Sequence, residues 1–156
     1  SGIRRREQQP VTVGVLQPLT GQRGASGGGA DQEAAGHLVG GRFTVAGVGV
    51  TVRGDGKSGG SIRVAGLIAS GKPGTLQIRL VDPVGQGVRD GLGACTGDSG
   101  APVFEDKPGG PVIVGVVSWS TGPNGTAGCG GITGVTPLTL YRDWLMQTAL
   151  QWGASF

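Results

Sequence analysis

The chain holds 156 residues, enough for one modest domain around a single core. Its 35 glycines and 9 prolines make it rich in turns, yet 37% hydrophobic and only 15% charged residues exclude a solvating disordered tail, and the glycines keep no collagen period. A net charge of +3, 4% aromatic residues and no apolar run near the roughly 18 residues of a membrane span exclude a base-stacking nucleic-acid surface and a membrane helix. What remains is a glycine-rich folded domain, read as all-β.

In chain order, Arg4-Arg5-Arg6 reads as a solvated basic tail. Residues 11–16 (VTVGVL) form a short β-branched run, and 17–41 are Gly-, Gln- and Ala-rich without clear period. Residues 1–41 are therefore expected to be an N-terminal remnant or linker, and 42–156 the folded unit. From Phe43 to Val52 the apolar positions fall near period two, with a slip at Gly47, which predicts a strand. The turn-rich 54–60 leads into a second strand at 61–69. Lys72-Pro73-Gly74 makes a turn before a third at 75–81, where Leu76, Ile78 and Leu80 alternate with polar neighbours. Strands at 102–105, 111–119 and 131–136 complete the series. Only the end reads as a helix: Leu138, Tyr141, Leu145, Thr148 and Trp152 fall near helical spacing, with Thr136-Pro137 as cap and first turn. Six or seven strands at hairpin spacing and one terminal helix predict a closed antiparallel barrel, which leaves no exposed edges.

Cys95 and Cys129 both sit in turn-rich segments, where they could form one bridge or remain two thiols. No metal-ligand spacing or cofactor motif occurs, so neither is expected. The chemistry concentrates at 93–104, GACTGDSGAPVF. Glycine at 97 allows the N–H groups of Gly97 and Ser99 to point to one place, an arrangement suited to an oxyanion, while Asp98 holds the turn. Alone, Gly97-Asp98-Ser99-Gly100 is also an ordinary turn. An α/β-hydrolase elbow is excluded, because Ala101 stands where its second glycine belongs and no helix follows.

In context, this stretch resembles the nucleophile segment of the chymotrypsin-like serine proteases, and the likeness continues along residues 42–149. Phe43–Gly49 resembles the strand that opens that family's C-terminal barrel, with Val48 where a tryptophan is usual. Val114–Ser120 is similar to the strand lining the substrate channel, and Tyr141–Ala149 to the closing helix. The resemblance implies an antiparallel Greek-key β-barrel, the C-terminal half of a two-barrel protease, closed by an α-helix. It also implies a Cys95–Cys129 disulfide between the walls of the specificity pocket, and hence a secreted or periplasmic protein. Ser99 would be the acyl-transfer nucleophile, with the Gly97 and Ser99 amides as oxyanion hole. Asp98 would support the hole by pairing with a buried cation. Ser118, Trp119 and Ser120 would pair with an extended peptide or protein substrate. Gly93, at the pocket base where trypsin-like members carry an aspartate, implies a small or apolar P1 residue; Gly131 or Gly134 would form the opposite wall.

The base is the difficulty, since a serine hydroxyl needs an adjacent proton acceptor. In this family the histidine precedes the serine by about 140 residues and the acid by about 90; with 98 residues before Ser99, the usual histidine is expected to lie outside this chain. The only histidine, His37, falls where the family's interdomain connection runs, away from the cleft. Residues 11–19 resemble the strand beginning with the triad aspartate, with Thr12 in the acid's place. Three readings follow: an endopeptidase completed by a His- and Asp-bearing N-terminal chain or domain, a protease-like binding module without the chemistry, and a rearranged site using His37. The first also requires a partner to cover the apolar surface that half a two-barrel protein leaves open.

Overall fold

The computed structural model describes residues 41–70 and 77–154. The basic tail, the 11–16 run, Thr12, His37, the 72–74 turn and Leu76 lie outside the described residues. Six strands form a closed antiparallel barrel in the order β1-β2-β3-β6-β5-β4, with β4 pairing back onto β1. They are β1 (Arg42–Gly47), β2 (Arg63–Ala69), β3 (Ile78–Val81), β4 (Pro102–Lys107), β5 (Gly110–Ser120) and β6 (Ile132–Pro137). This crossed order is the expected Greek key.

Alternation builds the core. Phe43 and Val45 of β1 point inward, opposite Leu67 and Ala65 of β2 on one side and Glu105 and Val103 of β4 on the other. Ile78 and Leu80 of β3 meet Val135 and Thr133 of β6 in register. Phe43, Leu67, Leu80, Val103 and Val135 are fully buried. Each contributes roughly 1.5–3 kcal/mol of apolar burial.

Strand β5 carries two register shifts. Against β4, Val103 faces Gly115 and Phe104 faces Ile113, so Val114 is extra. Against β6, Val117 faces Val135 and Trp119 faces Gly134, so Ser118 is extra. Such bulges bend a strand and re-aim the side chains beyond them.

Two expectations need correction. The strand predicted over 43–52 stops at Gly47. Beyond it the Gly49 N–H goes to the Asp98 side chain and the Val50 N–H to the Thr96 carbonyl, so no ladder continues. Val48 and Val52 are left exposed. The terminal helix begins later than Leu138: a 3-10 turn at Leu138–Tyr141 precedes α1 (Arg142–Gln151). Pro137 ends β6 and stands at the N-cap of the 3-10 turn with no side-chain capping bond. The residues predicted at helical spacing are unevenly covered: Leu138 and Thr148 are half-buried, whereas Tyr141, Leu145 and Trp152 are exposed. Tyr141, Trp144 and Trp152 are 49%, 63% and 82% exposed, while Ala149 is the buried residue of α1.

Candidate active site

The segment between β3 and β4 makes two successive reverse turns that share Asp98. The Asp98 N–H donates to the Cys95 carbonyl (3.1 Å), and the Ala101 N–H to the Asp98 carbonyl (2.9 Å). Each turn has glycine at its third position in the left-handed region, Gly97 at φ +94° and Gly100 at φ +82°. Such a turn requires that conformation there, and only glycine adopts it without a steric cost. Ser99 is thereby presented on an exposed corner.

Asp98 locks this double turn from behind. Its Oδ1 accepts the Gly49 N–H at 2.7 Å and its Oδ2 the Cys95 N–H at 2.9 Å. Space for the carboxylate exists because two residues of the 47–49 segment lack side chains. A Cβ on Gly47 would collide with Asp98 Oδ1, and one on Gly49 would lie 2.7 Å from Asp98 Cγ and from the Thr96 carbonyl. Arg63 fixes the same segment by donating to the Gly49 carbonyl at 2.9 Å. The partners of Asp98 among the described residues are these main-chain amides. Among the described residues the ion pairs are Lys107–Glu105 and Arg142–Asp143, both elsewhere.

Within the double turn the amides of Asp98, Gly100 and Ala101 are all engaged, whereas those of Gly97 and Ser99 donate to no group among the described residues. Ser99 Oγ likewise has no hydrogen-bond partner among them, and no histidine lies within the described ranges. Free amides flanking an exposed hydroxyl can receive a developing negative charge. The hydroxyl itself still needs a proton acceptor.

Cys95 and Cys129 are bridged, Cα to Cα 4.8 Å, across 34 residues of sequence. The bridge joins the nucleophile segment to the loop before β6. Gly93 packs against that loop, its hypothetical Cβ 3.3 Å from Gly130 Cα and 3.3 Å from Thr133 Oγ1, while the Ala94 N–H donates to Thr133 Oγ1 at 2.9 Å. Gly93, Cys95, Asp98, Gly49, Cys129 and Gly130 contribute to the walls of a hollow of about 630 Å³. Ser99, Gly97 and Ser118–Ser120 stand outside its lining. Of the two candidate wall glycines, Gly131 abuts the Gly122 carbonyl, whereas Gly134 lies beneath the Trp119 ring, where a Cβ would enter the indole.

Strand β4 pairs with β5 only as far as Pro102 opposite Val116. The Gly100 N–H then donates to the Val117 carbonyl (2.8 Å) and the Val117 N–H to the Ala101 carbonyl (2.9 Å), which brings the nucleophile turn to that point. Ser118, Trp119 and Ser120 run on past it. Trp119 and Ser120 are paired to β6 on one side, Ser118 being the bulge residue, and none of the three pairs with a described strand on the other. Sequence reading missed Gly47, Gly49 and Arg63. The alternating glycines of VAGVGV were the available signal, since glycine within a strand marks close approach by another group.

A trypsin-family model matches residues 78–145. No curated protein sequence matches the chain. Among solved structures, human heparin binding protein is similar at 26% identity and a TM-score of 0.52, covering 69% of this chain and 43% of that one. An atomic-resolution structure of HBP gives 26% and 0.54 with the same coverage. A double mutant of human heparin binding protein gives 26% and 0.55, covering 72% and 44%. The chain thus spans less than half the length of each of these three structures. Its closed six-stranded barrel with one C-terminal helix is a chymotrypsin-like barrel, and the likeness to the trypsin family seen in the sequence holds.

Proposed function

We propose that the protein is a serine endopeptidase in which Ser99 forms the acyl-enzyme, completed by a His- and Asp-bearing half supplied by another chain or domain. The observation that carries this reading is the double turn, which exposes Ser99 and leaves the Gly97 and Ser99 amides without an acceptor among the described residues. In the reaction, Ser99 Oγ attacks the scissile carbonyl, and its proton passes to the base of the complementary half. The amides of Gly97 and Ser99 receive the oxyanion. The leaving amine departs with a proton from that base, and water then releases the acyl group.

The substrate is an extended peptide or protein segment that adds to the free edge of Ser118–Ser120. Gly93 carries no acid, so the preferred P1 residue is small or apolar. We take residues 42–156 as the barrel unit and 1–41 as the segment leading to it. The Cys95–Cys129 bridge fits an oxidising compartment, secreted or periplasmic. No cofactor enters the scheme.

A second reading, a binding module that keeps the barrel without the chemistry, is favoured by a Ser99 hydroxyl that has no partner among the described residues. One experiment separates the two. A small fluorophosphonate is applied to the protein as isolated from its source with any companion polypeptide, and peptide mapping follows. Adduct on Ser99, absent in Ser99→Ala, supports the enzyme; an unlabelled Ser99 in folded protein leaves the binding module.

A further inference from the structure

Trp119 is held at two points. The ring lies on Gly134, a position closed to any residue with a Cβ. Its indole N–H donates to Gln77 Oε1 at 2.6 Å. The Gln77 amide also reaches back to the preceding residue, Nε2 donating to Ser118 Oγ at 3.5 Å. Ser118 is the extra residue of the β5 bulge against β6. A bulge residue has no cross-strand partner of its own, so its conformation depends on whatever side chain reaches it. One glutamine, entering from the residue before β3, therefore touches both the bulge and the ring that follows it.

From this geometry we infer that Gln77 is a positioning residue: it fixes the Ser118 bulge and the Trp119 ring, and so the orientation in which the Ser118–Ser120 edge meets an extended peptide beside Ser99. The inference rests on the reading of that edge given under Proposed function. Gln77 touches neither Ser99 nor the oxyanion amides. Its effect falls on binding of the extended chain, with the acyl-transfer turn unaltered.

The test titrates N-acetyl-tetraalanine amide into the full ¹⁵N-labelled chain and follows the Trp119 indole N–H resonance, assigned with Trp119→Phe. In the unsubstituted protein the resonance is downfield and moves on peptide addition. Gln77→Leu shifts the free resonance upfield and weakens peptide binding about five- to tenfold, the effect of one lost hydrogen bond. Gln77→Glu keeps an oxygen acceptor and restores both the shift and the affinity, which a purely structural role would not require. Equal affinity for the unsubstituted and Gln77→Leu chains, or Gln77→Glu behaving like Gln77→Leu, overturns the positioning role alone. Absence of peptide binding by the unsubstituted chain overturns the reading of the edge, and the positioning role with it.

Discussion

Replacing Asp98 tests whether the nucleophile turn is held by its own carboxylate. Two main-chain N–H groups end on that side chain, at 2.7 Å from Gly49 and 2.9 Å from Cys95. Hydrogen bonds to a charged acceptor contribute about 1.5–3 kcal/mol each. Because Asp98 is only half-buried, the lower end applies, so Asp98→Ala removes about 3 kcal/mol. Asp98→Asn keeps one acceptor and turns an NH₂ toward an amide donor, so roughly half of that loss is expected. Urea unfolding measures both losses, and in a heating scan Asp98→Ala melts roughly 10 °C lower. Hydrogen exchange supplies the local readout: the Gly49 and Cys95 amides lose protection while those of the β3–β6 ladder keep theirs. A cost below about 1 kcal/mol with Gly49 still protected would refute the argument, because some other group would then be holding the turn.

Reducing the Cys95–Cys129 bridge, or replacing both residues by serine, lowers stability by about 3–4 kcal/mol for a 34-residue separation, read as a drop in the urea midpoint. Gly134→Ala drives a methyl group into the Trp119 ring; overpacking of this kind costs about 1–3 kcal/mol, and the indole N–H resonance broadens or moves. The Asp55 carboxyl lies below the ordinary aspartate range, chiefly because the Lys57 N–H and then the Ser58 hydroxyl favour its charged form. With the folded-state value depressed, its stabilising effect is present above the unfolded value and is lost as pH falls through the folded one. An NMR titration of Asp55 should therefore give a midpoint below about 3.9, and a midpoint at or above it would contradict the contacts around the 54–58 turn.

Much of this architecture was legible because period-two alternation survives the glycines. Phe43, Val45 and Val103 alternate with exposed or half-buried neighbours, and the GDSG segment states its own backbone conformation through Gly97 and Gly100. What failed did so where a distant group intervened. Val48, Val50 and Val52 carry a strand pattern, but Asp98, 49 residues from Gly49, takes the amide that a ladder would need. The two bulges of β5 were hidden for a related reason. A run such as PVIVGVVSW is apolar nearly throughout, so no polar beat marks where a residue is inserted. The helix stripe was read correctly as a pattern. Which side of α1 meets the barrel is beyond its reach, because spacing records that residues share a face and says nothing of what that face touches.

The exposed Trp144 and Trp152 decide how the isolated polypeptide behaves in the laboratory. Ten residues of helix are too few to persist in water unaided, and two indoles presented to solvent offer a ready site for self-adhesion. Preparations of this chain by itself should elute late on apolar resins, bind hydrophobic dyes without being denatured, and tolerate storage best when dilute.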